Sequence, residues 1–219
     1  MSKKFKKMQT VALISFTMIL VVIFVVLEGN ITIKNLTESV SGKPIASVLL
    51  LLLLFAVKSL SIIIPLPSLY LASGMLFPPL TAVFASYLGL AVTLSIPYFL
   101  GLWSGGEGIE YIKSKYPKIE KIIKIQKKNE FFASFIVRII GWFPCDIISF
   151  YFGACKTPYY IYITSSLIGS SIGVITNTLL GDVILNPLSW KFAILTLIKI
   201  VVSISAFGVA YFLNKEDKI

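Results

Sequence analysis

Five apolar blocks, at about 8 to 27, 45 to 103, 131 to 155, 158 to 181 and 190 to 213, alternate with short polar segments along the chain. The first, Val11 to Leu27, is longer than a signal-peptide core, and "VVLEGNIT" after it has no small-x-small cleavage site, so a retained helix is predicted. The second carries no charge from Ser59 to Gly106, far more than the roughly 20 residues that one crossing needs. Pro65, Pro67, Gly74, Pro78 and Pro79 fall in its middle, where a straight helix would lose donors and stiffness. Residues 45–79 therefore read as a broken, re-entrant pair of half-helices, and 80–103 as a full span. The third block repeats the pattern. Gly141, Pro144 and Gly153 break 131–156 into a second re-entrant pair, 158–181 is a span, and 190–213 is a last span.

The breakers suggest an internal repeat. Pro67, Gly74, Pro79 and Gly89 mark breaker, turn, helix start and helix interior in one half, and Pro144, Gly153, Pro158 and Gly169 do so in the other. The two units enter from opposite faces, which makes an inverted repeat of the kind secondary transporters use. The predicted fold is an all-α integral membrane bundle with two opposed re-entrant loops. It divides into 1–44 (first helix and external loop), a core over 45–182, and 183–219 (last helix and tail).

Composition agrees: 57% of the 219 residues are hydrophobic, 14% are charged, and the mean hydropathy is +0.90. The net charge of +10 is concentrated beside the apolar blocks, in Lys3, Lys4, Lys6 and Lys7 and in seven lysines from Lys113 to Lys128. Such clustering follows the positive-inside rule, argues against nucleic acid as a partner, and places both termini and the 104–130 connector in the cytoplasm. In that connector Ile112, Tyr116, Ile119 and Ile123 recur at helical spacing after a turn at Pro117, which suits either an amphipathic helix on the inner leaflet or a solvated connector.

Candidate chemistry is confined to a few charged residues inside apolar sequence. Arg138 is the only arginine among twenty basic residues, and its planar fork suits phosphate or carboxylate; snorkelling to headgroups is the alternative. Asp146, two residues after Pro144, needs a cation or a proton if buried; it reads equally as a carrier of a coupling proton or as half of an ion pair with Arg138 or Lys58. Lys58, in "LLFAVKSLSIII", is a second embedded cation, either a partner for Asp146 or a substrate contact. Asn177 and Asp182 read as caps and Lys199 as a snorkelling residue, while Cys145 and Cys155 read as packing residues. With no histidine, P-loop, dinucleotide fingerprint, metal cluster or nucleophile–base pair in view, neither enzyme activity nor a metal or other cofactor is expected.

The stretch "FIVRIIGWFPCDIISFYFGACKTPYYIYITSSLIGSSIGVITNTLLGD", with "PLPSLYLASGMLFPPLTAVFASYLGLAVTLSIPYFLG" before it, resembles the DedA superfamily, also called VTT-domain or SNARE-associated Golgi proteins. Arg138, Pro144, Asp146 and Gly153 match its pattern. Gly141 stands where the family often has proline, Pro78 where it often has glycine, and "FLGLWSGG" lacks the arginine common after the first long span. The resemblance implies a helical bundle with two facing membrane-dipping loops. It also implies movement of lipids, such as undecaprenyl phosphate or phospholipid, often linked to proton-motive force. The expected partners are then membrane lipids and a coupling proton. A small-solute or ion transporter and a non-transporting scaffold stay open as alternatives, and nothing in the sequence fixes the oligomeric state.

Overall fold

A computed structural model describes residues 44–60, 64–116, 119–141, 143–184 and 188–215. The predicted first helix, the loop after it and the turn at Pro117 lie outside these. Among the described residues all regular structure is helical: α1 (Pro44–Ser59), α2 (Leu66–Leu76), α3 (Pro79–Ser104), α4 (Gly106–Lys115), α5 (Ile119–Lys128), α6 (Glu130–Ile140), α7 (Cys145–Ala154), α8 (Tyr159–Val183) and α9 (Trp190–Lys215).

Proline sets the starts of four of these helices. Pro65, Pro78, Pro144 and Pro158 are the N-caps of α2, α3, α7 and α8, each with φ between −71° and −52° and an extended ψ. A proline there needs no partner for an N–H and its locked φ leads into the first turn, while the preceding residue is pushed out of helical conformation. Pro67 and Pro79 then occupy first-turn positions of α2 and α3. Gly141 closes α6 in a left-handed conformation, φ 66° and ψ 28°.

α3 and α8, of 26 and 25 residues, are long and apolar enough to cross a membrane. α2, α6 and α7, of 11, 11 and 10 residues, rise only about 15 Å each. One face of each long helix carries exposed apolar side chains and the opposite face buries many small ones beside Leu90, Leu94, Tyr98, Tyr162 and Val174. Along α3 the side chains of Leu80, Phe84 and Leu88 are exposed, whereas Ala82, Ala85, Ser86, Gly89 and Thr93 face the interior. On α8, Ile168, Ile172 and Ile175 are exposed, and Ser165, Ser166, Gly169 and Thr178 are buried. Small residues on the inner face let helices packed in lipid approach closely.

Two expected turn positions are corrected. Gly74 and Gly153 lie inside α2 and α7, where each lets two backbones touch. A Cβ on Gly74 would strike the Thr178 carbonyl of α8, and one on Gly181 of α8 would strike the Leu71 carbonyl of α2. In the same way a Cβ on Gly153 would meet the Tyr98 carbonyl of α3, and one on Gly101 of α3 the Phe150 carbonyl of α7. Each short helix is thus clasped by the far half's long helix. The turn after α7 is made three residues beyond Gly153: Lys156 is left-handed (φ 59°), its N–H donates to Gly153 O at 2.9 Å, and the Thr157 N–H donates to Phe152 O at 3.1 Å.

The apolar stripe of the lysine-rich connector faces the protein. Ile112, Ile119 and Ile122 are buried against the protein, because α4 packs on α7 and α5 on α6, leaving Lys113, Lys115, Lys124, Lys127 and Lys128 outward. Gln126 of α5 fastens this layer to the α7–α8 turn, donating to Thr157 Oγ1 at 2.8 Å and accepting from the Tyr151 hydroxyl. Asn177 proves to be no cap. It lies within α8, 8% exposed, and accepts at 2.9 Å from Lys199, which ties α9 to α8 instead of reaching for headgroups; Asp182 is exposed near the end of α8.

Candidate functional site

Three helix ends meet around the charges singled out in the sequence. Lys58 is in the last turn of α1, Arg138 in the last turn of α6, and Asp146 in the first turn of α7. Cations at helix C-termini and an anion at an N-terminus are each favoured by the exposed peptide dipoles. The breaks therefore supply part of the stabilisation that charges inside apolar sequence need.

Lys58 and Asp146 form a two-pronged ion pair. The Lys58 ammonium donates to Asp146 Oδ1 at 2.8 Å and Oδ2 at 2.6 Å, and the two residues are only 4% and 9% exposed. Of the two cations considered for Asp146, it is Lys58 that makes the contact. The pair joins the end of α1 to the start of α7, 88 residues apart in sequence.

Arg138 does not snorkel; its guanidinium is a staple. Nε donates to Ser166 Oγ at 3.3 Å, Nη1 to the Cys145 carbonyl at 3.0 Å and its Sγ at 3.1 Å, and Nη2 to Ser149 Oγ at 2.9 Å and the Tyr162 hydroxyl at 3.0 Å. Five donors thus meet five protein acceptors from α7 and α8, all formally neutral. Tyr162 adds its ring, whose centre is 5.9 Å from Cζ, and is itself stacked on Tyr98 at 4.8 Å.

Sequence reasoning missed this hydroxyl lining. Ser134 of α6 meets Ser165 Oγ at 2.6 Å and Ser166 Oγ at 3.0 Å, and Ser149 donates to the Cys145 carbonyl at 2.7 Å. The signal was present in "TSSLIGSS", a serine-rich turn of an otherwise apolar span. Among the described residues no cluster of three or more histidine, cysteine or acidic side chains forms a metal-ligand set.

Among the described residues all regular structure is helical, two helices are long and apolar enough to cross a membrane, three shorter helices are apolar, and charges gather at the proline and glycine breaks, as in a helical membrane protein. The family model described as the VTT domain matches residues 64–183, more than half of the chain, and the protein belongs to that family, the DedA or SNARE-associated Golgi proteins. Neither the curated proteins nor the solved structures contain a match.

Proposed function

We propose that this protein is a transporter of the cell membrane that translocates a phosphate-bearing lipid, undecaprenyl phosphate or a phospholipid, with protons as the coupling ion. The observation that carries the reading is the meeting of Lys58, Asp146 and Arg138 at three helix ends inside the bundle. Buried ionisable groups in membrane segments are costly, and they mark substrate or ion pathways by default. Lys58 and Arg138 give the site two cations for one carboxylate, an excess that suits an anionic headgroup. The neutral acceptors on Arg138 are groups that phosphate oxygens, which accept more strongly, can replace.

The packing supports an inverted repeat of α1–α2–α3 with α6–α7–α8. The Gly74–Gly181 and Gly153–Gly101 clasps are counterparts, and Gly89 packs on Phe55 of α1 as Gly169 packs on Phe135 and Arg138 of α6. In this reading both short pairs dip into the membrane and return, the lysine face of α4 and α5 lies in the cytoplasm with both termini, and rocking of the halves alternates access.

The test is movement of labelled polyprenyl phosphate and of labelled phospholipid in proteoliposomes, with and without a pH gradient, for wild type and Arg138→Ala. Movement that requires Arg138 and responds to the gradient is the expected result. Folded wild type that moves neither lipid overturns it in favour of solute transport or a scaffold role.

A further inference from the structure

Arg138 has all its donors engaged by neutral groups, whereas among the described residues the Lys58 ammonium bonds to a carboxylate alone. A carboxylate and a phosphate offer a lysine the same thing, paired anionic oxygens at hydrogen-bond distance. We propose that Asp146 is a built-in stand-in for the substrate phosphate: it occupies Lys58 while the site is empty, and a proton on its carboxylate hands Lys58 to the phosphate oxygens. This deepens the lipid-phosphate reading and rests on it.

Burial of the pair favours the exchange. The pair is buried to a few per cent exposure, so an ammonium left without an anion, or a carboxylate without a cation, is strongly disfavoured there. A phosphate arriving while Asp146 is ionised meets a site whose Lys58 is already neutralised. When one proton binds an Asp146 oxygen, the ammonium keeps its charge, loses its counter-ion and accepts the phosphate; when phosphate leaves, the proton leaves and the pair closes again. Proton and phosphate therefore enter the site together and leave it together.

The other groups around Asp146 do not duplicate this step. Arg138 of α6 is the second charge acting on the carboxylate, and it stays ionised throughout. Tyr70 of α2, Cys145 of α7 and Tyr162 of α8 lie close enough to that arginine to interact with its charge, and none of them is a carboxylic acid. Asp146 is the carboxylic acid of this cluster, and the proton of the proposed exchange is assigned to it because, among the described residues, it alone is bonded to Lys58.

Two readouts test the exchange. In detergent, dodecyl phosphate is titrated against thermal unfolding, with inorganic phosphate as a parallel arm to separate a lipid headgroup from the free ion. Wild type is expected to gain affinity for the probe by up to about tenfold per pH unit lowered, one proton being taken up with each phosphate. Asp146→Asn, which is already neutral, should bind with little pH dependence, and Lys58→Met/Asp146→Asn, which leaves no unpaired charge, should stay folded and bind at least tenfold more weakly than Asp146→Asn. The second readout is the pH dependence of polyprenyl phosphate movement in proteoliposomes for the same three proteins, which should follow the same order.

If Asp146→Asn keeps the wild-type pH profile, or the double variant binds as Asp146→Asn does, the exchange is wrong. Binding that follows the expected order without lipid movement sustains the exchange and refutes the lipid reading. Inorganic phosphate binding as well as dodecyl phosphate would make the free ion the ligand and overturn the lipid headgroup.

Discussion

At the level of single residues, the Lys58–Asp146 pair predicts an asymmetry in stability. Lys58→Met leaves a carboxylate inside the bundle without its partner and should cost about 3 to 5 kcal/mol, whereas replacing both members by apolar residues, as in Lys58→Met/Asp146→Leu, should recover most of that loss. Unfolding in detergent measures both. A double variant no more stable than Lys58→Met would mean that the pair is not the unit that matters. Lys58 and Asp146 were legible in the sequence as charges in apolar surroundings and as partners for one another, but the choice of Lys58 over Arg138 was not, since a contact across 88 residues leaves no local pattern. Arg138 was legible as a singular residue. Its environment was harder to see because its acceptors, Ser149, Tyr162 and Ser166, are types that occur in membrane helices for many reasons.

Elements give sharper contrasts. Gly101→Ala would drive a methyl group into the Phe150 carbonyl, while at Gly173, also inside a long helix, nothing lies within 4 Å of the new Cβ. The first substitution should lower the yield of folded protein severely. The second should be neutral or stabilise by up to about 1 kcal/mol through helix propensity, and size-exclusion profiles with melting curves separate the two. Lys156 offers the converse case. It is exposed and left-handed, so Lys156→Gly should raise stability by about 1 kcal/mol, visible as a higher melting temperature. The sequence showed where helices break because proline acts locally: Pro65, Pro78, Pro144 and Pro158 all cap helices. It did not distinguish Pro97, which sits inside α3, or the glycines that serve contact rather than turning, because those roles depend on a neighbour distant in sequence.

For the whole molecule, the outward stripes of α3 and α8 define which surface meets lipid. A nitroxide at Phe84 or Ile172, introduced through cysteine, should be relaxed by membrane-dissolved oxygen far more than by a water-soluble nickel complex, and one at Lys124 should show the reverse. Equal relaxation by both agents at Phe84 would contradict a lipid-facing stripe. Membrane class could be read from composition, since so few charges cannot cover a soluble surface. The connector's place could not, for an apolar stripe such as Ile112, Ile119 and Ile122 fits a membrane surface as well as a protein one.

The reciprocal glycine clasps also set an order of events during synthesis. The α8 backbone that receives Gly74 emerges about a hundred residues after α2, which at ordinary translation speed is roughly five to twenty seconds. Throughout that interval α2, only 11 residues long, has α1 and α3 to pack against but not the helix that clasps it, so its final seat forms only when α8 arrives.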